Sequence, residues 1–112
     1  MAKQNPSYID SVVDVVKLIP VGRVTNYGAI ADFLALGSAR MVGWALNKSG
    51  INDASIPAHR VLNRKGELSG RLAFQDPDYM ARALTREGIP IKDNTVQDFK
   101  TYYWHPEELL DS

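Results

Sequence analysis

The chain has 112 residues, 45% of them hydrophobic and 23% charged, the size and composition of one globular domain rather than of a disordered segment. Its 13 basic and 13 acidic side chains give a formal net charge of zero, and the absence of cysteine excludes disulfides, thiolate nucleophiles and cysteine-held zinc. No apolar run approaches the ~20 residues of a membrane helix, and Met1 to Ser7 lacks the apolar stretch of a secretory signal, so a cytoplasmic setting without a membrane partner is expected.

Ser7-x-x-Asp10 has the form of a capping box, and Ile9, Val12, Val13 and Val16 follow at the spacing of one apolar helix face. A first helix is therefore expected up to Pro20. Val21 to Val24 reads as a short extended link. Thr25 can cap a second helix running through Ile30, Ala31, Phe33 and Leu34, with Gly37 ending it. Ser38 then caps a third, from Ala39 to about Lys48, ended near Gly50. Two helices of about ten residues joined by a Gly-Ser turn have the length and punctuation of a helix-turn-helix, although any helical hairpin would share them.

Asn52 to Pro57 reads as loop. Arg60-Val61-Leu62 and Glu67-Leu68-Ser69 then read as the arms of a hairpin, or wing, about the turn Asn63 to Gly66. Asp76 as cap, with Pro77 at the first helical position, opens a fourth helix that turns Tyr79, Met80, Ala83 and Leu84 inward and stops at Gly88. The tail from Phe99 through Trp104 to Pro106 is aromatic enough to dock on the core. The expectation is a single α/β, mostly helical domain over residues 1–112, a winged helix-turn-helix with a short β-hairpin.

Zero net charge hides an uneven distribution. Residues 40–71 carry six basic side chains (Arg40, Lys48, Arg60, Arg64, Lys65, Arg71) against two acidic ones, whereas residues 72–112 carry four against eight. Such a cationic block can neutralise phosphates locally, because exposed charges more than ~8 Å away are largely screened at physiological salt. An uneven solvated surface is the alternative, since sequence order alone does not put the six on one face. The acidic tail reads as a docking surface for a partner or as an ordinary solvated C-terminus. His59 and His105 are the only imidazoles and lack nearby paired carboxylates, so neither a metal nor another cofactor is expected.

Four stretches carry a resemblance: Gly22-Arg-Val-Thr-Asn-Tyr27-Gly-Ala-Ile-Ala, Ala39-Arg40-Met-Val-Gly43-Trp-Ala-Leu, Ile56-Pro-Ala58-His59-Arg-Val61 and Leu68-Ser69-Gly70. They occur in the order and spacing of the C-terminal domain of O6-alkylguanine-DNA alkyltransferases, which the chain resembles over residues 7–90, with 91–112 as a tail. That family's signature is Pro-Cys-His-Arg-Val, its cysteine accepting the alkyl group. Ala58 stands at the cysteine position, and a methyl group has no lone pair with which to attack carbon. With the family's N-terminal domain absent and an aromatic tail present, the chain resembles the alkyltransferase-like branch, which recognises alkylated guanine in double-stranded DNA without repairing it.

The resemblance implies a role for each matching position. Arg40 would enter the duplex through the minor groove and replace an extruded base, stacking its guanidinium while donating hydrogen bonds along the edge. Tyr27 would crowd the phosphate 3′ to the lesion and promote rotation of the nucleotide. Ser69 and the backbone at Val61 would hydrogen-bond the edge of the flipped guanine, and Arg71, where transferases tend to have glycine, would stack on the base and donate toward O6. Ala58 would floor the pocket. His59 and Glu87 match the relay that deprotonates the transferase cysteine and are expected to persist as a structural hydrogen-bond pair. Without the resemblance, Tyr27 reads as a half-buried core aromatic, Arg40 as a surface arginine, Ser69 as a turn former and Arg71 as a phosphate contact. Trp44 reads as core or helix packing ahead of DNA reading.

The expected function is therefore non-enzymatic recognition of O6-alkylguanine by base flipping, by a monomer that shields the lesion and flags it for nucleotide excision repair proteins. A cytoplasmic location follows, nucleoid-associated in a prokaryote. Two alternatives stay open: a winged-helix transcription regulator reading intact sequence in the major groove, and a true transferase domain inactivated by a cysteine-to-alanine change. A protein-interaction module would leave the basic block unexplained.

Overall fold

The structure, a computed structural model, describes residues 7–49 and 51–110. Helix termination at Gly50 lies outside the described residues, as do the opening six residues, the last two of the tail, and the side chain of Ser7 on which the capping box rests.

Helix α1 (Ser7–Lys17) buries Val12, Val15 and Val16, and Ile19 follows them into the core. It ends before Pro20 because the Leu18 and Ile19 N–H groups donate to Val15 and Val16 at 3.0 and 3.1 Å, tightening the last turn to i, i−3 spacing. Thr25 is not a cap. It belongs to the two-residue strand β1 (Thr25–Asn26), and its neighbour Asn26 does the capping, accepting from the Ala29 N–H at 2.7 Å. Helix α2 (Tyr27–Phe33) is also shorter than expected. Ala35 takes the left-handed conformation at φ 57, and its N–H and that of Leu36 close onto Asp32 and Ala31 at 3.1 and 2.8 Å, so the helix ends before Gly37. Helix α3 (Ala39–Lys48) follows an extended Ser38 that makes no side-chain cap, and turns Val42, Ala45 and Leu46 onto α1 and α2.

Strand β2 (Val61–Leu62) pairs in parallel with β1, Thr25 against Val61 and Asn26 against Leu62. Residues 60–62 and 67–69 thus do not form the expected wing. Asn63 instead folds residues 63–67 into a closed loop, its carboxamide oxygen accepting from Lys65 and Glu67 at 3.0 and 2.9 Å. The antiparallel hairpin lies in the tail, β3 (Ile91–Lys92) against β4 (Thr95–Val96), joined by Asp93 and Asn94 at φ 52 and 56. Glu67 bridges to Thr95, so the arm expected in the wing adds to this hairpin. The class stands: mostly helical, with small strands and a helix-turn-helix.

Helix α4 (Tyr79–Arg86) begins later than expected, because Asp76 to Asp78 forms a turn in which the Asp76 carboxylate accepts from Asp78 at 2.9 Å. It ends as expected at Gly88, φ 89, where Gly88 and Ile89 close onto Thr85 and Leu84 at 3.0 and 3.1 Å. The tail docks. Helix α5 (Phe99–Tyr102) leads into Tyr103, which bridges Val24, and Trp104 is buried with its N–H on the Val24 carbonyl at 2.7 Å. No described helix is long and apolar enough to cross a membrane.

Candidate nucleic-acid interface

The parallel β1–β2 pair brings the start of α2 beside the segment that carries Ala58. Ala58 opens a 3₁₀ turn (Ala58–Arg60), is 4% exposed, and lines a cavity of about 50 Å³ together with Tyr27, Gly43, Asn47, Gly70 and Met80. That is space for a water or two, not for a base. Beyond Tyr27 lies an open groove of about 500 Å³, lined by Tyr27, Arg40, Gly43, Trp44 and Asn47. Tyr27, Gly43 and Asn47 face both spaces and so form the wall between them.

Tyr27 is fastened in this wall. Burial raises the pKa of its phenol, opposed by a hydrogen bond with the Ser69 hydroxyl. A Cβ at Gly70 would stand 2.7 Å from the Tyr27 hydroxyl, so the phenol tip fits because residue 70 has no side chain. Between the groove and Ala58, this wall is what a base would have to pass.

Arg40 is exposed on the groove, in the first turn of α3. Trp44 follows one turn later; of its two expected placements, core or helix packing, the structure shows the second, because with Val42, Ala45 and Leu46 inward the helix period turns residue 44 outward, 50% exposed and packed on α1. Its ring stacks on Tyr8 with centroids 6.3 Å apart, and Lys48 Nζ lies 5.2 Å from its centroid. Arg64 and Lys65 are exposed on the 63–67 loop.

The remaining positions are more scattered. Val61 is fully buried in β2 and donates its N–H to the Ala58 carbonyl. Arg71 begins a second 3₁₀ turn (Arg71–Ala73), its Nη1 3.4 Å from the Leu68 carbonyl, in a polar recess shared with Ser69, Asp93 and Asn94. Gly70 and Ala73, flanking it, reach the Ala58 cavity; Arg71 does not. Of the six expected contacts, Tyr27 and Ala58 share the cavity, Arg40 shares the groove with Tyr27, Ser69 lies beside the Tyr27 phenol, Val61 is joined to Ala58 through its backbone, and Arg71 lines a separate recess with Ser69.

His59 Nε2 lies 2.7 Å from the Glu87 carboxylate. The sequence did not signal a third member: Arg60 donates to the same carboxylate from Nε at 3.0 Å and Nη2 at 2.9 Å, and from Nη1 to the Ile19 carbonyl at 2.9 Å. Gly22 adds its N–H at 2.8 Å. Burial works to raise the Glu87 pKa, but the bonds from Arg60, Gly22 and His59 outweigh it and hold the carboxyl below its ordinary value. For His59 burial dominates and lowers the pKa despite the carboxylate. The cluster ties the end of α1, the Ala58 turn and the end of α4 together, and it removes Arg60 from the basic surface. Among the described residues no group of three or more histidine, aspartate or glutamate side chains could hold a metal.

The chain and its fold have counterparts among known proteins. The chain is similar to alkyltransferase-like protein 1 of Schizosaccharomyces pombe, 33% identical over 88% of this chain and 95% of that protein. It is similar also to the DNA base-flipping protein of Escherichia coli, 32% identical over 92% of this chain and 78% of that one. Its fold matches the crystal structure of Schizosaccharomyces pombe Atl1 in complex with damaged DNA containing O6-carboxymethylguanine, with a TM-score of 0.78 and 29% identity, covering 93% of this chain and all of the other. The model of the 6-O-methylguanine DNA methyltransferase DNA-binding domain matches residues 7–89, taking in every element from α1 to the end of α4, and the chain belongs to that family.

Proposed function

We propose that the protein binds double-stranded DNA along α3, turns an O6-alkylguanine out of the helix toward Ala58, and holds it there without accepting the alkyl group. The observation that carries this reading is the Ala58 methyl lining a cavity behind Tyr27 at the place of the family's acceptor cysteine, in a chain with no cysteine at all. The naming of the relatives as alkyltransferase-like and base-flipping proteins, and the damaged DNA bound by Atl1, support it.

Extruding a nucleotide costs a few kcal/mol of stacking and pairing, less at a damaged pair. Arg40, projecting from α3, offsets part of this by filling the vacated stack. Tyr27 then swings out of the wall together with the Ser69–Gly70 segment behind it, and the same movement carries Arg71 toward the base. Alanine occupies less space than cysteine, so larger O6 substituents fit than in a transferase. A lesion held but not repaired is shielded from transferases and marked for other machinery, with nucleotide excision repair proteins as the partners. The monomer acts where the DNA is, in the cytoplasm and, in a prokaryote, on the nucleoid.

Incubation with duplex bearing a radiolabelled O6-alkyl group tests this. The expected result is a complex in which all label stays on the DNA and a true transferase added later is slowed. Label on the protein, or a transferase working at full rate under saturating protein, would refute it. Binding that follows an intact sequence and ignores the lesion would point to a transcription regulator.

A further inference from the structure

Helix α3 places a cation, an indole and a second cation at intervals of four residues on the face turned from the core: Arg40, Trp44 and Lys48. Side chains spaced in this way lie almost on one line, and the rise of 1.5 Å per residue spreads them over about 12 Å. From Ala39 to Lys48 the helix carries no acidic residue, so this line is cationic throughout. At its centre Trp44 is held in place while half its surface meets water: Tyr8 from α1 stacks on it, the planes 16° apart, and Lys48 covers the ring. The two neighbours restrict the indole before any partner arrives, and its exposed part lines the groove that Arg40 and Tyr27 also line.

We infer that Trp44 is a DNA contact in its own right. Resting on the reading that α3 faces DNA, the inference adds a residue that reads no lesion. With Arg40 at the extruded base, four residues of helix put the indole about 6 Å further along, roughly two nucleotide steps of one strand, against deoxyribose and base edges. Lys48 meets a phosphate beyond it. An aromatic face on sugar and base edges is tolerant of sequence, so this contact strengthens binding to damaged and intact duplex alike.

The test titrates the whole protein and its variants against matched duplexes carrying guanine or O6-methylguanine. Trp44→Ala is expected to weaken both by the same factor, about tenfold, with Trp44→Phe recovering most of the loss. Lys48→Ala is expected to lower the slope of log affinity against log salt by about 0.9, one phosphate contact. Trp104 is 3% exposed, so indole emission from a Trp104→Phe protein reports on Trp44, and either duplex should quench it. This arm leaves position 44 intact, and so it decides the matter even where alanine there unfolds α3. Unchanged affinity in a normally melting Trp44→Ala protein, or emission indifferent to saturating DNA, would overturn the inference. Should the wild type ignore the lesion while Trp44→Ala still weakens both duplexes, this contact is supported and the lesion reading fails alone.

Discussion

Truncating Glu87 to alanine should cost the fold about 3 kcal/mol. The Glu87 side chain is 11% exposed and that of Arg60 13%, and the carboxylate accepts from Arg60, His59 and the Gly22 N–H. Removing it leaves a guanidinium without its anion and a backbone donor without an acceptor. Breaking one side of a buried pair costs ~3–5 kcal/mol. Arg60 keeps its bond to the Ile19 carbonyl and both groups retain some access to water, so the lower end applies. At about 4 °C per kcal/mol for a domain of this length, the melting temperature should fall by ~12 °C. Glu87→Gln, which keeps an acceptor and loses the charge, should lie about halfway. Thermal unfolding followed by circular dichroism measures both. A loss under ~3 °C for the alanine variant would refute the assignment of this cluster as a structural tie. An unchanged melting temperature combined with lost lesion preference would return Glu87 to a functional relay.

Gly70→Ala should press on the Tyr27 hydroxyl and destabilise the domain by ~1–3 kcal/mol, and Tyr27→Phe, by removing the oxygen it strikes, should restore part of the loss; equal effects in both backgrounds, measured by denaturant unfolding, would sink the proposed wall. Arg71→Ala should weaken binding to O6-methylguanine duplex more than to intact duplex, whereas equal losses by fluorescence anisotropy would reduce Arg71 to an electrostatic contact. Acidification should destabilise the fold through His59: burial lowers its pKa, so the unfolded chain binds more protons, and stability present above the ordinary 6.5 is lost as pH falls below it. Melting temperatures that fall less steeply with acid in His59→Gln than in the wild type would bear this out, and parallel profiles would contradict it.

Legibility in the sequence followed the length of each signal. The stripe of α1, the span of α3, the stop at Gly88 and the docking of the aromatic tail could be read because each rests on several side chains or on a glycine in a left-handed turn. The two-residue strands β1 and β2 are too short for alternation to show, so Thr25 looked like a cap and the wing was drawn between the wrong partners. Asp93-Asn94 did carry a usable signal, a pair of residues tolerant of positive φ at the centre of a two-residue hairpin turn. Ala35 did not, since alanine in the left-handed region is disfavoured and Gly37 was the better candidate. At the site, the family resemblance, rather than sequence order, brought Tyr27, Ala58 and Arg40 together. It did not show that Arg60 spends its charge on Glu87, nor that Trp44 faces the groove, because both depend on which elements pack around them.

The affinity ratio for two duplexes identical except for O6-methylguanine or guanine at one position, read at physiological and at doubled salt, tests recognition without repair most directly. The damaged duplex should bind at least about tenfold more tightly, 1.4 kcal/mol, at both salts, while both affinities fall together as phosphate contacts are screened. Equal affinity for the two duplexes would contradict the account.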